Sequence, residues 1–396
     1  MAKHEAIEAA LGQTVYRDPE PFQADAAGHR LTIYPAGKDR LAALLKMIEG
    51  ARSSLRLVFY IFACDESSRK VRDALVAAAQ RGVAVTMLVD AFGAEADEAF
   101  FAPLVTAGGR FECFSAKLTR RYLIRNHQKI VLADEESAML GGFNVEDDYF
   151  APPEQNGWND LAVLIRGPVV ERIGHWFDEL EDWLLHPNAQ FSAIRHKVRE
   201  WQAGEAPVQL LIGGPTKGLS SWARCLARDL EQGNRLDMMM AYFSPPPKLT
   251  RRIGALAESG RTRLILAGKS DNGATIGAAR AKYGRLLRHG ARLFEFQPCK
   301  LHTKLIVLDD AVYLGSANLD MRSLYINLEI VLRIEDAAFA ERMRAFIEQH
   351  LPASLDVTPQ VYRRWARPLA RVRWWASWFL VSVVDYTITR KLNLGL

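Results

Sequence analysis

Two copies of one arrangement of charged residues carry the chemistry available to this sequence of 396 residues. Each copy has the pattern HxKxxxxD and leads into a turn of small residues that ends in asparagine. The candidate residues are His127, Lys129, Asp134 and Asn144 in the first copy, and His302, Lys304, Asp309 and Asn318 in the second. Because the set recurs at the same place in each half of the chain, it is not the accidental match that a single copy could be.

The histidine and lysine of each copy begin an apolar run, 129–132 or 304–308, of the kind found in buried strands. Side chains two residues apart project from the same face of a strand, so each histidine shares a face with its lysine. Acidic clusters after each run predict a turn, and the next apolar stretch returns as a second strand. Each motif is therefore predicted to form a hairpin, whose small Gly-Gly or Gly-Ser residues let the backbone approach a ligand closely.

A site of this composition suits a phosphodiester. Lysine ammonium groups and asparagine amides donate to the non-bridging oxygens and offset the negative charge that builds up at phosphorus. One histidine can then attack phosphorus, while the other protonates the leaving alcohol and later deprotonates the incoming one. Chemistry of this kind requires no cofactor.

The competing interpretations are a metal site and a pair of structural histidines. A lysine two residues from each histidine would repel a cation, and no cysteine pair or carboxylate cluster stands at ligand spacing, so the sequence predicts no metal. Structural histidines would explain one copy as well as catalysis does, but they do not explain the duplication.

A histidine used in this way needs an acceptor for its second ring nitrogen. Asp160 and Glu329 are the candidates, because each lies downstream of the histidine of its own half, beside another apolar, strand-like segment. The alternative is that both are surface acids at strand ends. Their parallel placement favours the orienting role.

The stretches around these residues resemble the phospholipase D superfamily, whose signature is the doubled HxKxxxxD motif, and within it the bacterial cardiolipin synthases. The stretches that carry the resemblance are 125–129, 141–144, 146–149, 158–160, 315–323 and 327–329. Gln128 stands where the family often has arginine, which we expect to matter little. Many relatives begin with membrane-spanning helices, and residues 1–22 hold no long apolar run, so the chain resembles the shorter forms.

The resemblance implies an α/β fold of two pseudo-symmetric αβα lobes with the active site between them. It implies transfer of a phosphatidyl group from phosphatidylglycerol, or a related phospholipid, to a hydroxyl of phosphatidylglycerol through a phosphohistidine. By resemblance His127 is the nucleophile and His302 the acid and base, although the sequence is symmetric and leaves the order open. The alternatives are a hydrolase of phospholipid or nucleic acid on the same fold, and a membrane-binding module with an inactive site.

Repeated strand and helix patterns divide the chain into two lobes. We predict an N-terminal extension (1–27), a first lobe (28–190), a linker (191–207), a second lobe (208–360) and a C-terminal segment (361–396). Strands that alternate with helices at this spacing predict a largely parallel sheet in each lobe.

Positive charge is concentrated at the C-terminal end. Residues 361–396 hold seven Lys and Arg against one acid, a net charge of +6, whereas the whole chain carries +5, so residues 1–360 sum to −1. This near-neutral body argues against a nucleic-acid partner. The C-terminal segment also holds four of the nine tryptophans and an apolar run, 379–384, that is too short to span a bilayer. It predicts peripheral contact with an anionic membrane surface; the alternative is a helix docked on the protein's own core.

Two smaller features add to this picture. A basic and aromatic stretch, 117–125, precedes the first motif only, and it could line the entrance and attract phosphate headgroups or be a solvated loop. The four cysteines are dispersed without a CxxC pair, as is typical of reduced thiols in the cytoplasm. Together with the basic C-terminal segment, they predict a protein at the cytoplasmic side of the cell membrane.

Overall fold

Each half of the chain builds one eight-stranded sheet flanked by helices. A computed structural model describes residues 16–114, 125–185, 191–216 and 218–384. The elements of the first lobe are β1 (Phe22–Ala26), β2 (His29–Tyr34), α1 (Gly37–Gly50), β3 (Ser54–Phe59), α2 (Glu66–Gln80), β4 (Ala84–Asp90), α3 (Glu98–Thr106), β5 (Arg110–Phe114), β6 (Ile130–Ala133), β7 (Ser137–Gly141), α4 (Asp147–Phe150), β8 (Trp158–Asn159), β9 (Ala162–Arg166) and α5 (Val169–Leu185).

The second lobe repeats this order after a connecting helix. Its elements are α6 (Phe191–Glu200), β10 (Val208–Gly213), α7 (Ser221–Gln232), β11 (Leu236–Met240), α8 (Pro247–Glu258), β12 (Thr262–Ala267), α9 (Gly273–Arg288), β13 (Arg292–Phe296), β14 (Lys300–Leu301), β15 (Lys304–Leu308), β16 (Ala311–Gly315), α10 (Met321–Tyr325), β17 (Glu329–Glu335), α11 (Ala337–Glu348), β18 (Ser354–Asp356), α12 (Pro359–Trp365) and α13 (Pro368–Phe379). Short 3-10 turns lie at Pro153–Gln155 and Leu351–Ala353, and a π-helical turn follows α13 at Leu380–Val384.

The two sheets have related strand orders. They run β1-β2-β9-β7-β6-β3-β4-β5 and β10-β17-β16-β15-β11-β12-β13-β18. Within these two sheets, as described, β3-β4-β5 and β11-β12-β13 pair in parallel and the other neighbouring strands pair antiparallel. The prediction of largely parallel sheets was therefore wrong. Single helices connect the neighbouring strands within these two groups of three, whereas the motif hairpins and the strands beside them pair antiparallel.

The predicted hairpins are present. Strand β6 pairs with β7 in the register Ile130↔Leu140, and β15 pairs with β16 in the register Leu305↔Leu314. All four strands are buried along their whole length, in agreement with their continuous apolar sequences. Each sheet therefore carries its motif on central strands rather than at an edge.

The lobes share a core. Helices α5 and α11 contribute apolar side chains to one cluster that also takes residues from both sheets, while α1–α3 and α7–α9 cover separate clusters on the outer faces. The predicted linker contains α6, whose Ile194 and Val198 are buried in the shared core together with Trp201. The predicted N-terminal extension likewise supplies the edge strand β1. The two lobes thus form one packed unit.

The C-terminal segment is docked on the second lobe. Helix α13 packs against α9 and buries Trp374, as in the docked-helix alternative. Its other face leaves Leu369, Val372 and Phe379 exposed. Within the described ranges, no helix has the length and apolar character needed to cross a bilayer.

Candidate active site

The residues that lead into the two motif hairpins pair with the opposite lobe. The backbone N–H of His127 donates to Leu328 O at 2.9 Å, and the N–H of Leu328 donates to Arg125 O at 3.0 Å. In the second lobe β14 pairs in parallel with β8, and the N–H of His302 donates to Asn159 O at 2.7 Å. This crossed pairing brings both histidines to the boundary between the lobes.

The same pairing delivers a carboxylate to each imidazole. His127 Nδ1 lies 3.1 Å from Glu329 Oε2, and His302 Nδ1 lies 2.6 Å from Asp160 Oδ2. All four side chains are buried. Each carboxylate thus comes from the lobe opposite its histidine, whereas the sequence associated each acid with the histidine of its own half.

The small residues after each hairpin support these carboxylates. A Cβ on Gly142 would lie 2.6 Å from Asp160 Oδ1, so this glycine makes room for the carboxylate rather than for a ligand. The equivalent position in the second copy is Ser316, whose hydroxyl donates to Glu329 Oε2 at 2.5 Å. Ser323 donates to the other oxygen of Glu329 at 2.8 Å. Gly142 of the first copy therefore leaves room for Asp160, and Ser316 of the second copy donates a hydrogen bond to Glu329.

The two motif lysines are buried beside the histidines. Lys129 Nζ donates to His127 O at 2.6 Å, and Lys304 Nζ donates to His302 O at 2.5 Å. Burial lowers the pKa of Lys129 to about 7 and that of Lys304 to about 8, although Glu329 and Asp160 work in the opposite direction. The charges of both lysines also lower the pKa of each histidine. Because two lysines are buried here, the site favours the binding of a negatively charged group.

The two histidine–carboxylate pairs differ in their protonation. Burial lowers the pKa of His302 to about 3 and that of His127 well below its ordinary range. Burial raises the pKa of Glu329 to about 7, against the effect of Lys129. Burial also works to raise the pKa of Asp160, but His302 and Lys304 outweigh it and hold this pKa below its ordinary value. Asp160 therefore stays ionised at neutral pH, whereas Glu329 is poised to titrate.

The motif asparagines lie in the same region but are not equivalent. Asn144 Oδ1 accepts from Ile61 N at 3.0 Å, and its Nδ2 donates to the Tyr149 hydroxyl at 2.9 Å. That hydroxyl lies 3.4 Å from His302 Nε2. Asn318 is also buried, and its Oδ1 finds no hydrogen-bond partner within the described residues. Asn144 thus reaches the reacting nitrogen of His302 through Tyr149.

The motif aspartates are not part of this cluster. Asp134 and Asp309 lie at the far ends of β6 and β15 from the histidines, in left-handed conformations with φ 55° and 47°. Asp134 accepts from the N–H groups of Ser53 and Ser54 at 2.7 and 3.0 Å, and Asp309 accepts from those of Asn234 and Arg235. Both carboxylates are committed to backbone groups at the start of the neighbouring strand, so the structure does not bring these two predicted catalytic residues to the histidines.

Several supporting residues were missed from the sequence. Arg40 is completely buried and donates to Asp160 O at 2.6 Å, Tyr149 O at 2.7 Å and Trp158 O at 3.1 Å. Gln128, expected to matter little, is buried between Trp176 and the Glu329 carbonyl, with which it makes hydrogen bonds of 3.1 Å each. The available signal for Gln128 was only its place between His127 and Lys129, within the polar stretch 125–129. Arg40 gave none, because arginine in a helix is usually exposed.

Two further expectations bear on the site. The basic stretch 117–125 falls, except for its last residue, outside the described residues. Within the described ranges no group of three or more His, Cys, Asp or Glu side chains is arranged to hold a metal ion.

Two sheets that each carry an HxK hairpin, with both histidines at the boundary between the lobes, define a phospholipase D-like enzyme. A family model described as "Cardiolipin synthase, PLD-like domain" matches residues 44–181 and 226–351. The chain belongs to this family. It is a cardiolipin synthase-like phosphatidyl transferase, and the predicted family, fold class and enzyme class are confirmed.

Individual relatives agree with the family match. Cardiolipin synthase A of Pectobacterium carotovorum is 31% identical over 344 residues, which cover 83% of this chain and 70% of the relative. The major cardiolipin synthase ClsA of Bacillus subtilis is 29% identical, with coverage of 84% and 70%. Among solved structures, phosphatidylserine synthase of Haemophilus influenzae superposes with a TM-score of 0.70 and 16% identity over 98% of this chain and 99% of the other. That likeness concerns the fold.

Proposed function

We propose that this protein forms cardiolipin by transferring a phosphatidyl group from phosphatidylglycerol, or a related phospholipid, to a hydroxyl of phosphatidylglycerol. The observation that carries the proposal is the pair of crossed histidine–carboxylate contacts, at 3.1 and 2.6 Å, beside two buried lysines. Two imidazoles and two desolvated cations suit an exchange of one phosphodiester for another, in which no net charge is created.

The reaction proceeds in two steps. His127 attacks phosphorus through Nε2, the bond from phosphorus to the glycerol oxygen breaks, and His302 gives that oxygen its proton. This leaves a phosphatidyl group on His127 and a neutral His302. A hydroxyl of the second phosphatidylglycerol then loses its proton to His302 and attacks phosphorus, which breaks the bond to His127. Lys129 and Lys304 bind the non-bridging oxygens throughout.

The different protonation of the two histidine–carboxylate pairs supports His127 as the nucleophile and His302 as the acid and base. A general acid must carry a proton, and the ionised Asp160 beside His302 stabilises the imidazolium form. Glu329 is a weaker counter-ion, because burial raises its pKa to about 7. His127 is therefore better suited to attack as a neutral imidazole. The anionic substrate also favours protonation of the buried histidines and lysines when it binds.

The surface of α13 supports membrane contact. Leu369, Val372, Trp375 and Phe379 follow a helical spacing and form one exposed apolar stripe. The C-terminal segment runs antiparallel to α9, since Tyr362 of α12 lies at Gly284 and Ser377, near the end of α13, lies at Gly277, closer to the start of α9. The turn Leu380–Val384 therefore continues toward the N-terminal end of α9.

That end of α9 leads back to the candidate active site. Asp271, which precedes the helix, accepts from the Tyr242 hydroxyl at 2.9 Å, and the Tyr242 ring lies 6.2 Å from the His302 ring. We therefore place the protein peripherally on an anionic membrane with the stripe directed at the bilayer. No disulfide joins cysteines within the described residues, which suits the cytoplasmic side.

The test is product analysis with purified protein and phosphatidylglycerol vesicles. Lipid mass spectrometry should show cardiolipin and released glycerol, and added glycerol should reverse the reaction. His127→Ala and His302→Ala should each reduce turnover by at least about a thousandfold. His175→Ala, which removes an exposed histidine, is the matched control and should be fully active.

Three outcomes would change the proposal. Phosphatidic acid as the sole product would identify a hydrolase. Substantial turnover in either site variant would exclude the two-histidine mechanism. A phosphatidyl adduct trapped on His302 in the His127→Ala variant, rather than on His127 in the His302→Ala variant, would reverse the assigned roles.

A further inference from the structure

A second candidate lipid site lies in a groove between α9 and the C-terminal helices α12 and α13. The groove has a volume of about 760 Å³. Its cationic lining residues come from α9 and from the C-terminal segment: Lys282, Arg285, Arg288, Arg363 and Arg371. Among the described residues no acid lines it, and tryptophans form part of its wall. The groove therefore joins a concentrated positive charge to an aromatic surface.

Lys282 is the central cation of this groove. Its side chain is buried, and Nζ lies 4.0 Å from the centre of the Trp378 ring and 5.5 Å from that of Trp375. Among the described residues it has no carboxylate partner, whereas Arg280 on the same helix is paired with Glu295. Burial, with Arg285 nearby, lowers the pKa of Lys282 to about 8, so the ammonium form predominates at neutral pH. A buried cation without a counter-ion is costly unless an anion completes the site.

A hydrogen-bond donor stands next to this cation. Trp378 Nε1 is buried and has no acceptor within the described chain. A phosphate oxygen could accept hydrogen bonds from both the Lys282 ammonium and this indole N–H. Trp375, which is half exposed, provides an apolar wall on the solvent side. The anion that suits the groove thus carries an apolar part.

We propose that this groove binds the headgroup phosphate of an anionic phospholipid, with the acyl chains lying along the tryptophans and the apolar stripe of α13. The site is separate from the histidine pair, and its existence does not rest on the proposed transferase reaction. The excess of cations over acids favours a lipid of net negative charge over a zwitterionic one. Exposed Leu369 and Val372 on the same helix favour a bilayer over a free phosphate ion as the source of the anion.

The experiment compares two single charge losses in the same region of the molecule. Lys282→Gln removes the central cation, and Arg364→Gln removes an exposed arginine of α12 that does not line the groove. Flotation is measured with phosphatidylcholine vesicles, with and without phosphatidylglycerol, at low and high salt. Salt screens exposed charges strongly and a partly buried contact much less.

The expected result at high salt is that Lys282→Gln needs about tenfold more phosphatidylglycerol vesicles for half-maximal binding, while Arg364→Gln binds like the wild type. Trp378→Phe keeps an aromatic wall, removes only the N–H donor and should weaken binding about threefold. Pure phosphatidylcholine vesicles should not distinguish the variants. Thermal unfolding checks that each variant is folded. If Lys282→Gln does not fold, Trp378→Phe still tests the groove.

Equal loss of binding in Lys282→Gln and Arg364→Gln at high salt would overturn the proposal, because unspecific attraction would then explain both. Unchanged binding of Lys282→Gln would overturn it as well. Cleavage of a short-chain, water-soluble phosphodiester reports the catalytic site separately, and Lys282→Gln should leave it unchanged. A failure of cardiolipin synthesis in the wild-type protein would leave the result on this groove intact.

Discussion

His127 of the first lobe is held by Glu329 of the second, with Nδ1 and Oε2 3.1 Å apart although the two residues are 202 positions apart in the chain. His302 of the second lobe is held by Asp160 of the first in the reciprocal arrangement. Neither lobe alone therefore contains an oriented histidine. The shared core of α5 and α11 fixes the two lobes in the relation that these contacts need.

The raised pKa of Glu329 predicts an acidic limb in the pH profile. As the pH falls through about 7, Glu329 gains a proton, can no longer accept from His127 Nδ1 and ceases to hold the tautomer that leaves Nε2 free to attack. We expect kcat/KM for a short-chain phosphodiester to fall below about pH 7. In Glu329→Gln the residual rate should be at least about tenfold lower at pH ~8 and should lack this limb.

Asp160→Asn is the matched control for that profile. The pKa of Asp160 is held below its ordinary value, so its titration lies outside the range in which the limb occurs. The variant should lose rate through a poorly held His302 but keep the acidic limb near neutrality. An acidic limb that survives in Glu329→Gln and vanishes in Asp160→Asn would contradict the assignment.

The sequence predicted the local parts of the site and not the contacts between lobes. Histidine and lysine two residues apart in an apolar run predict a shared strand face, because strand periodicity is local. The sequence could not predict that Asp160 holds His302 and Glu329 holds His127. Each half contains one of these histidines and one of these acids, so pairing within a half was equally compatible with the sequence. The sheets were predicted as largely parallel because the strand–helix alternation of each lobe was extended to its hairpins.

The position of Asp134 predicts a role in stability. Burial works against its ionisation, but hydrogen bonds from the N–H groups of Ser53, Ser54 and Arg52 lower its pKa to about 2. Asp134→Ala should reduce the free energy of unfolding by about 2 kcal/mol, through lost hydrogen bonds and an alanine forced into a left-handed conformation. Asp134→Asn should cost less, because asparagine tolerates that conformation and retains an acceptor.

The pH dependence of this effect has a definite sign. The folded-state pKa of about 2 lies below the unfolded value, so the contribution of the carboxylate is present above about pH 4 and is lost as the pH falls through about 2. The difference in free energy of unfolding between wild type and Asp134→Ala, measured with denaturant, should therefore shrink at low pH to the part that comes from the strained alanine backbone. The kcat per folded molecule should be unchanged in both variants at neutral pH, and a large loss would restore a catalytic role for Asp134.

Arg40 predicts a coupling between stability and the position of Asp160. Replacement by methionine keeps an apolar stem and removes the donors to Asp160 O, Tyr149 O and Trp158 O. Arg40 also donates to Pro35 O, and the loss of all these contacts should reduce the free energy of unfolding by about 3 kcal/mol or more. Arg69→Met, on the exposed side of α2, should change it by less than about 0.5 kcal/mol. Equal stability of the two variants would show that water replaces the guanidinium.

The C-terminal helix predicts separable effects on folding and membrane binding. Leu369→Ser combined with Val372→Ser removes two side chains that are 82% and 66% exposed, so the free energy of unfolding should change by less than about 0.5 kcal/mol. Binding to phosphatidylglycerol vesicles should weaken at least about tenfold, because these residues no longer insert. Turnover of a short-chain, water-soluble phosphodiester should be unaffected.

Trp374→Ala is the complementary variant. Trp374 is buried against α9, so its loss should lower the free energy of unfolding by about 3 kcal/mol while leaving the exposed stripe in place. Point variants are more informative than deletion of 361–396, since deletion would also uncover the face of α9 on which α13 packs. Vesicle flotation and denaturant unfolding of the two variants give the comparison. Full vesicle binding by the Leu369 and Val372 double variant would mean that the membrane contact lies elsewhere on the protein.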